Sequence, residues 1–495
     1  MGHLHRSWAS RCRVVAAPRS GQETPGDRSR PRAVPRGLGA RGRGPFGVAR
    51  VGFGEDRCTC GRARADLTYL QVPRSTDLMM TTNTDVLIIG AGPAGSAAGA
   101  LLASRGRSAI CLERSWFPRH VIGESLLPRT DALLDEIGML EAVRARGYMV
   151  KKGAVFLHEG RSERFCLENG LEGDRPETLQ VPREDFDQVL ATEARSKGLD
   201  LRFGQEVTGV DFRDDGAIAS VVDLENDRRY EVHAKFVLDC SGYGRVLPRL
   251  LDLEREPALP QRVSCYTQVE GDRRPSGDLE GDVWICSHPD NGWLWIIPFS
   301  NGRTSVGSVC DPDYWAKLPG NDREKLWAYM QSDPAAWERL SSAVPVAKTT
   351  TIHGYSRKVS ALHGDRWALV GNATDFLDPV FSSGVTLALE TAVLAAKLVD
   401  RALGGESVEW DDEYDAPIGK AVGVFLAFIE SWYRGELIDI FFDDRRTPEI
   451  KRQITSILGG HVLRDDNPFT GDASGELRKL HDRVRAGRAQ QPVAE

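Results

Sequence analysis

Three glycines and a carboxylate carry the first chemistry legible in this chain. Gly90-Ala-Gly92-Pro-Ala94-Gly95 closes the apolar run Asp85-Val-Leu-Ile-Ile-Gly90 and opens a small-residue segment, Pro93 to Ser104. In that context the first glycine permits a tight turn. The second lets backbone approach a pyrophosphate, and the third lets helix and strand pack closely. The helix start at Ala94 then offers free N–H groups and a positive dipole end to phosphate. Glu113, with Arg114 beside it, ends the next apolar segment about 20 residues on, where a carboxylate accepts from ribose hydroxyls. A second anion site is expected at Ser382-Ser383-Gly384. There Ser382 and Ser383 are good N-caps, Gly384 allows close approach, and an apolar helix follows. Trp293 and Trp295 alternate on an apolar stretch and so share a face, for which core packing is the plain explanation.

These groups need a framework of alternating elements to hold them. Asp85 to Gly90 reads as a buried strand, Pro93 to Ser104 as a helix and Ser108 to Glu113 as the next parallel strand, together one βαβ unit. Helical patterns follow at Pro128 to Arg146 and Arg183 to Lys197. Short alternating segments lie at Gly153 to His158, Glu163 to Leu167, Val263 to Val269, Asp282 to Ser287, Trp293 to Pro298 and Thr304 to Val309. They suggest an antiparallel sheet inserted into a nucleotide-binding fold. A long helix, Gly384 to Ala402, ends at Gly404-Gly405 as a C-cap would, and the chain beyond reads as helical. Glycine turns return late, in Phe236-Val-Leu-Asp-Cys-Ser-Gly242 and Trp367-Ala-Leu-Val-Gly371-Asn372. An interrupted FAD-binding fold requires them, whereas a single NAD-binding domain does not. The chemistry-free match Gly37-Leu-Gly39-Ala-Arg-Gly42 follows no strand and is set aside as chance.

The expected organisation is α/β. Residues 84–150, 181–250 and 356–404 form an FAD-binding Rossmann-like domain. Residues 151–180 and 251–355 form the inserted substrate sheet, and 405–495 a C-terminal helical region. Residues 1–80 carry fifteen arginines, no lysine and six acids, a net of +9 within a chain of −7, so the remainder stands at −16. That tail reads as a disordered Arg/Gly/Pro-rich extension, either upstream of a natural start near Met79 or Met80 or a functional basic arm. An acidic body argues against nucleic-acid binding. Nine scattered cysteines without a CxxC pair argue against a metal site or a disulfide framework, and a reducing cytoplasm is expected. The longest apolar stretch, within Gly384 to Leu403, is broken by Glu390, Lys397 and Asp400, so no membrane span is expected.

From about Thr84 to Phe469 the chain resembles the flavin-dependent halogenases, in the branch acting on phenolic or pyrrolic rings. The match is carried by Gly123-Glu-Ser-Leu-Leu-Pro128, by Gly292-Trp-Leu-Trp-Ile-Ile-Pro298 and by Phe376-Leu-Asp-Pro379-Val-Phe-Ser382-Ser-Gly384. The resemblance implies an FAD-binding domain of the aromatic-hydroxylase type, a flavin contact for Arg183, Gly371, Asn372, Pro379 and Gly384, and a halide held by backbone at Ser383 and Gly384. Asn372 stands where many relatives have aspartate; it still bonds a ribityl hydroxyl. The resemblance makes Lys151 the catalytic residue, two positions before a glycine and five before an aromatic in Lys151-Lys-Gly-Ala-Val-Phe156. A desolvated ammonium polarises a hypohalous acid, and a neutral amine forms a haloamine. Lys152 is its immediate competitor, and alternation puts the two on opposite faces. Phe381 occupies the place of a glutamate in tryptophan-specific relatives, which favours a phenol or pyrrole over free tryptophan.

The implied reaction uses FADH2, O2 and chloride or bromide, with reduction by a separate NADH-dependent flavin reductase. The acceptor is an aromatic small molecule, free or on an acyl or peptidyl carrier protein. The rivals are an FAD-dependent aromatic monooxygenase, an FAD-dependent reductase or dehydrogenase, and a non-catalytic flavin-binding protein. Trp432 and Tyr433 are candidates for the substrate lining or for ordinary core.

Overall fold

The computed structural model describes residues 81–489; the expectations for the tail at 1–80 lie outside them. The strand Thr81–Ile89 runs parallel to both Ala109–Glu113 and Arg228–Asp239, and Trp367–Leu369 and Asp200–Phe203 extend the parallel core outward. The apolar run of Val86 to Ile89 is buried on both faces: Val86 and Ile88 pack under helices, while Leu87 and Ile89 join a core with Val207, Ala219, Val221 and Val232 of the neighbouring strands. A hairpin, Gln205–Arg213 and Gly216–Asp223, adds to the outer part of Arg228–Asp239. It was not anticipated, because Gln205–Arg213 fully buries only Val207, and two of the buried side chains of Gly216–Asp223, Ala217 and Ala219, are too small to carry a strong apolar signal.

Small residues let the first helix, Pro93–Ser104, sit close to its neighbours. It lies against the helices Ser383–Leu403 and Arg183–Ser196. A Cβ on Gly99 would stand 2.5 Å from Leu199, so glycine sets that approach. The expected single helix at 128–146 is two, Pro128–Glu136 and Leu140–Arg144. Gly138, at φ +65, breaks it in the left-handed region that glycine adopts without Cβ strain.

The second sheet has the strand order Val344–Pro345, Val263–Glu270, Thr304–Cys310, Gly292–Pro298, Val283–His288, Gly153–His158, Arg161–Cys166. Its pairings are antiparallel except Val283–His288 with Gly153–His158, which is parallel. The two segments that join the sheets meet as a short ladder, Met149–Lys151 with Thr178–Gln180, and Ser125 bridges to Gln180 beside it. Side chains on the second sheet alternate between two cores. Trp293, Trp295 and Ile297 face the C-terminal helices with Phe156, Phe428, Trp432 and Phe441, while Leu294 and Ile296 face Leu326 and Tyr329. The helices Ala416–Tyr433, Glu436–Phe441, Pro448–Leu458 and Phe469–Ala489 complete that cover. No helix among the described residues is long and apolar enough to cross a membrane.

Candidate active site

A cavity of about 580 Å³ runs from the glycine turn to the paired tryptophans. At one end Gly90 turns at φ +96, and a Cβ there would strike the Cys240 carbonyl at 2.7 Å. Gly95 packs harder still, with its absent Cβ 1.9 Å from the Gly90 carbonyl oxygen. Gly92 borders the cavity at the N-cap without any side-chain cap, and Pro93 has no N–H to lose. The N–H groups of the next residues, Ala94 first, are therefore left for an anion. Glu113 is buried; one carboxylate oxygen accepts from Ala91 N and the other from Ser115 N, both at 2.9 Å. It thus fixes the turn and still presents lone pairs to the cavity. Arg114 lies at the exposed rim, 3.5 Å from Glu206.

The middle of the cavity is held by two arginines, of which reading the sequence found one. Arg183 is buried, pairs with both oxygens of Asp187, and donates to the Ile122 carbonyl at 2.7 Å. It thereby braces the loop that ends in Gly123, at φ +98. Arg245, in the left-handed region at φ +46, carries no short motif and went unnoticed. Its guanidinium donates to the carbonyls of Asn372, Ala373 and Thr374 and pairs with Glu254. Gly371, at φ +61, donates its N–H to Thr391, so Asn372 is presented to the cavity by a turn fixed from both sides.

Pro379, Ser382 and Gly384 line the next stretch of wall. The serines do not cap as expected. Ser382 occupies the N-cap with left-handed backbone, φ +57, and makes no capping bond; Ser383 is the first helical residue and is buried. The turn is held instead by Asp378, whose carboxylate accepts from Val380 N, Tyr355 and Tyr433. The Arg262 guanidinium lies 3.6 Å over the Tyr433 ring, and Trp293 donates to the Tyr433 hydroxyl. Burial raises the Asp378 carboxyl above the usual carboxylate range. This whole network escaped the sequence reading, because nothing in the spacing of Arg262, Asp378 and Tyr433 links them. Trp432 packs on Phe156 and Phe381, so Trp432, Tyr433 and Phe381 are core side chains rather than cavity lining.

The far end is formed by Glu124, Ser125, Val283, Ile285, Trp293, Trp295 and Ile297. The two indoles lie 5.7 Å apart, and Trp295 donates to the Ser305 hydroxyl. Gly307 makes room for them: a Cβ there would sit 2.2 Å from the Trp295 ring. Replacing Gly307 by alanine is expected to displace that indole and to cost roughly 1–3 kcal/mol of stability, as overpacking does; urea unfolding followed by tryptophan fluorescence measures both. Lys151 is buried just behind this wall. Its Nζ donates to Ser125 Oγ and to the Leu126 carbonyl, each at 2.9 Å, and no carboxylate touches it. Burial pulls the amine down to about 7, against a weaker upward pull from Asp282 and Asp131. Lys152 points the other way, exposed and paired with Asp278 at 2.8 Å.

The cavity therefore joins a dinucleotide-type turn, two backbone N–H clusters and an apolar end backed by a desolvated amine. Residues 83–417, more than half of the chain, match the FAD binding domain family. Among curated proteins the chain is 27% identical over 383 residues to the 1H-pyrrole-2-carbonyl-(peptidyl-carrier protein) brominase of Pseudoalteromonas luteoviolacea, covering 76% of this chain and 91% of that one. It is 29% identical over 428 residues to the corresponding chlorinase of Pseudomonas fluorescens, covering 81% and 93%. Among solved structures, the flavoprotein/dehydrogenase of Cytophaga hutchinsonii superposes with a TM-score of 0.80 at 37% identity, covering 82% of this chain and all of that one. The myxobacterial chondrochloren halogenase CndH superposes with a TM-score of 0.66 at 26% identity, covering 82% and 97%.

Proposed function

The chain belongs to the FAD binding domain family, and from that premise we propose that it is an FADH2-dependent halogenase of electron-rich phenolic or pyrrolic rings. One observation carries the reading: a buried amine, Lys151, one hydroxyl away from the apolar end of the flavin cavity. Its curated relatives, named as halogenases, support it. Bound FADH2 would supply two of the four electrons that O2 takes, and chloride or bromide, oxidised to HOX, the other two.

The residues divide the remaining work. Gly90, Gly92, Ala94 and Gly95 receive the pyrophosphate, Glu113 and Arg114 the ribose side, and Arg183, Gly371, Asn372 and Pro379 the ring-bearing half. Backbone N–H groups at Ser383 and Gly384 hold the halide at the positive end of their helix. Trp293, Trp295, Val283 and Ile285 wall off the apolar end of the cavity, so that HOX is not lost to solvent. Lys151 takes up HOX by hydrogen bond or as a haloamine and presents it to the ring carbon. A separate NADH-dependent flavin reductase supplies FADH2, and the arene arrives free or on an acyl or peptidyl carrier protein. The free cysteines fit a reducing compartment, the cytoplasm.

The test combines the purified chain, FAD, a flavin reductase, NADH and bromide with a panel of phenols and pyrroles, read by mass spectrometry. Bromide incorporated into a ring is the expected result. The flavoprotein/dehydrogenase likeness favours a second reading, an FAD-dependent dehydrogenase. A product that has lost two hydrogens and gained no halogen would establish that reading instead, and a hydroxylated one a monooxygenase.

A further inference from the structure

Glu124 has no part in the chemistry described above, yet it stands at the reacting end of the cavity. Three carboxyl side chains line the cavity among the described residues: Glu113, Glu206 and Glu124. Glu113 is tied to the turn by two backbone N–H groups, and Glu206 faces Arg114 at the rim. Glu124 alone shares the tryptophan end. It is buried and receives the amide of Gln268 at 3.3 Å. It is also bonded by the Ser305 hydroxyl, the same hydroxyl that accepts from Trp295. Both of its partners are neutral, whereas the buried carboxylates Asp187, Asp272 and Asp282 are each paired with an arginine.

The proposed reaction has a proton requirement. Its first half balances as FADH2 + O2 + X⁻ + H⁺ → FAD + HOX + H2O, in which FADH2 and the halide each give up two electrons and O2 takes all four. One proton must therefore enter the cavity in every turnover. The second half, HOX + ArH → ArX + H2O, neither consumes nor releases one. A wall of indoles and aliphatic side chains cannot deliver that proton.

We propose that Glu124 is the acid that supplies this proton to the halide-oxidation step. The inference rests on the halogenase reading. Burial pushes the Glu124 carboxyl up to about 7, against the lowering effects of Ser305, His120 and Gln268. It thus exchanges its proton near neutrality, where a general acid is most effective. His120, exposed and 3.4 Å from Glu184, whose hydrogen bond raises the imidazole, is the cation that acts on Glu124. The other ionisable groups acting on this cluster are Tyr266, itself pushed up by burial, and Arg303, which acts on Glu184.

Two measurements decide it. The first is an infrared pH titration of the oxidised, FAD-bound protein. A protonated-carboxyl band should fade as pH rises through about 7 and should be missing in Glu124→Gln. The second is bromination rate against pH at saturating FADH2, using the best phenol or pyrrole acceptor of the panel. As an acid, Glu124 should give the wild type a rate that falls as pH rises through neutrality. Glu124→Gln should lose roughly 100-fold or more and lose that limb of the profile. Glu124→Asp should keep the band and part of the rate, and His120→Gln should shift the limb. Absence of the band in the wild type, a Glu124→Gln rate within a few-fold of wild type, or an unchanged limb overturns the proposal. If the wild type brominates neither free phenols and pyrroles nor the same rings loaded on a carrier protein, the halogenase reading itself fails and takes the inference with it.

Discussion

Replacing Lys151 by alanine abolishes ring halogenation, with an expected loss of roughly 10²–10⁴-fold, the scale on which a positioned proton-bearing group contributes, while FAD binding stays at the wild-type level. Lys152→Ala leaves the rate within a few-fold, because that ammonium is exposed and occupied by Asp278. Adjacent lysines with opposite fates make a stringent control, since residue type and local backbone are shared. The same amine leaves a mark on stability. Between about 7 and its ordinary 10.5 the folded chain holds Lys151 neutral, while the unfolded chain binds a proton there. Stability therefore rises with pH across this window, by up to about 1.4 kcal/mol per pH unit. In Lys151→Met that rise disappears. Urea titrations of both proteins at pH 6, 8 and 10 measure the difference, and a parallel dependence in the two would remove the lysine from its assigned environment.

Gly95→Ala and Gly92→Ala should fail in different ways. At Gly95 the new methyl would meet the Gly90 carbonyl at 1.9 Å, and backbone cannot yield as a side chain can. The helix must pull away from the strand, so the apoprotein is expected to lose at least 1–3 kcal/mol and to be purified without flavin. At Gly92 the methyl meets only the Arg119 guanidinium, at 3.3 Å, which can move aside. That variant should unfold in urea like the wild-type apoprotein yet bind FAD weakly, because the pyrophosphate can no longer approach the backbone. Flavin retention and apoprotein melting together separate the two cases; equal melting would show that Gly95 is not a packing residue.

What could be read ahead of the structure followed from local rules. The glycine turn, the parallel strands around it and the inward face shared by Trp293 and Trp295 are set by chain neighbours and by the two-residue period of a strand. Lys151 and Lys152 part to opposite sides for the same reason. The residues that stiffen the cavity obey no local rule. Arg245 gathers carbonyls at Asn372, Ala373 and Thr374, and Glu124 is bonded by Gln268 and Ser305, partners separated from them by whole elements. Ser382 shows the limit of a local rule. Its residue type suits an N-cap, but Pro379 and the Asp378 anchor hold its backbone left-handed, and the hydroxyl cannot serve.

The two indoles facing the cavity are themselves electron-rich arenes. If hypohalous acid is made beside them, every molecule that misses its acceptor meets Trp293 or Trp295 before it meets solvent. The protein would then wear out by use, its working life counted in missed deliveries rather than in hours. A steady supply of acceptor would protect the catalyst as much as it feeds it.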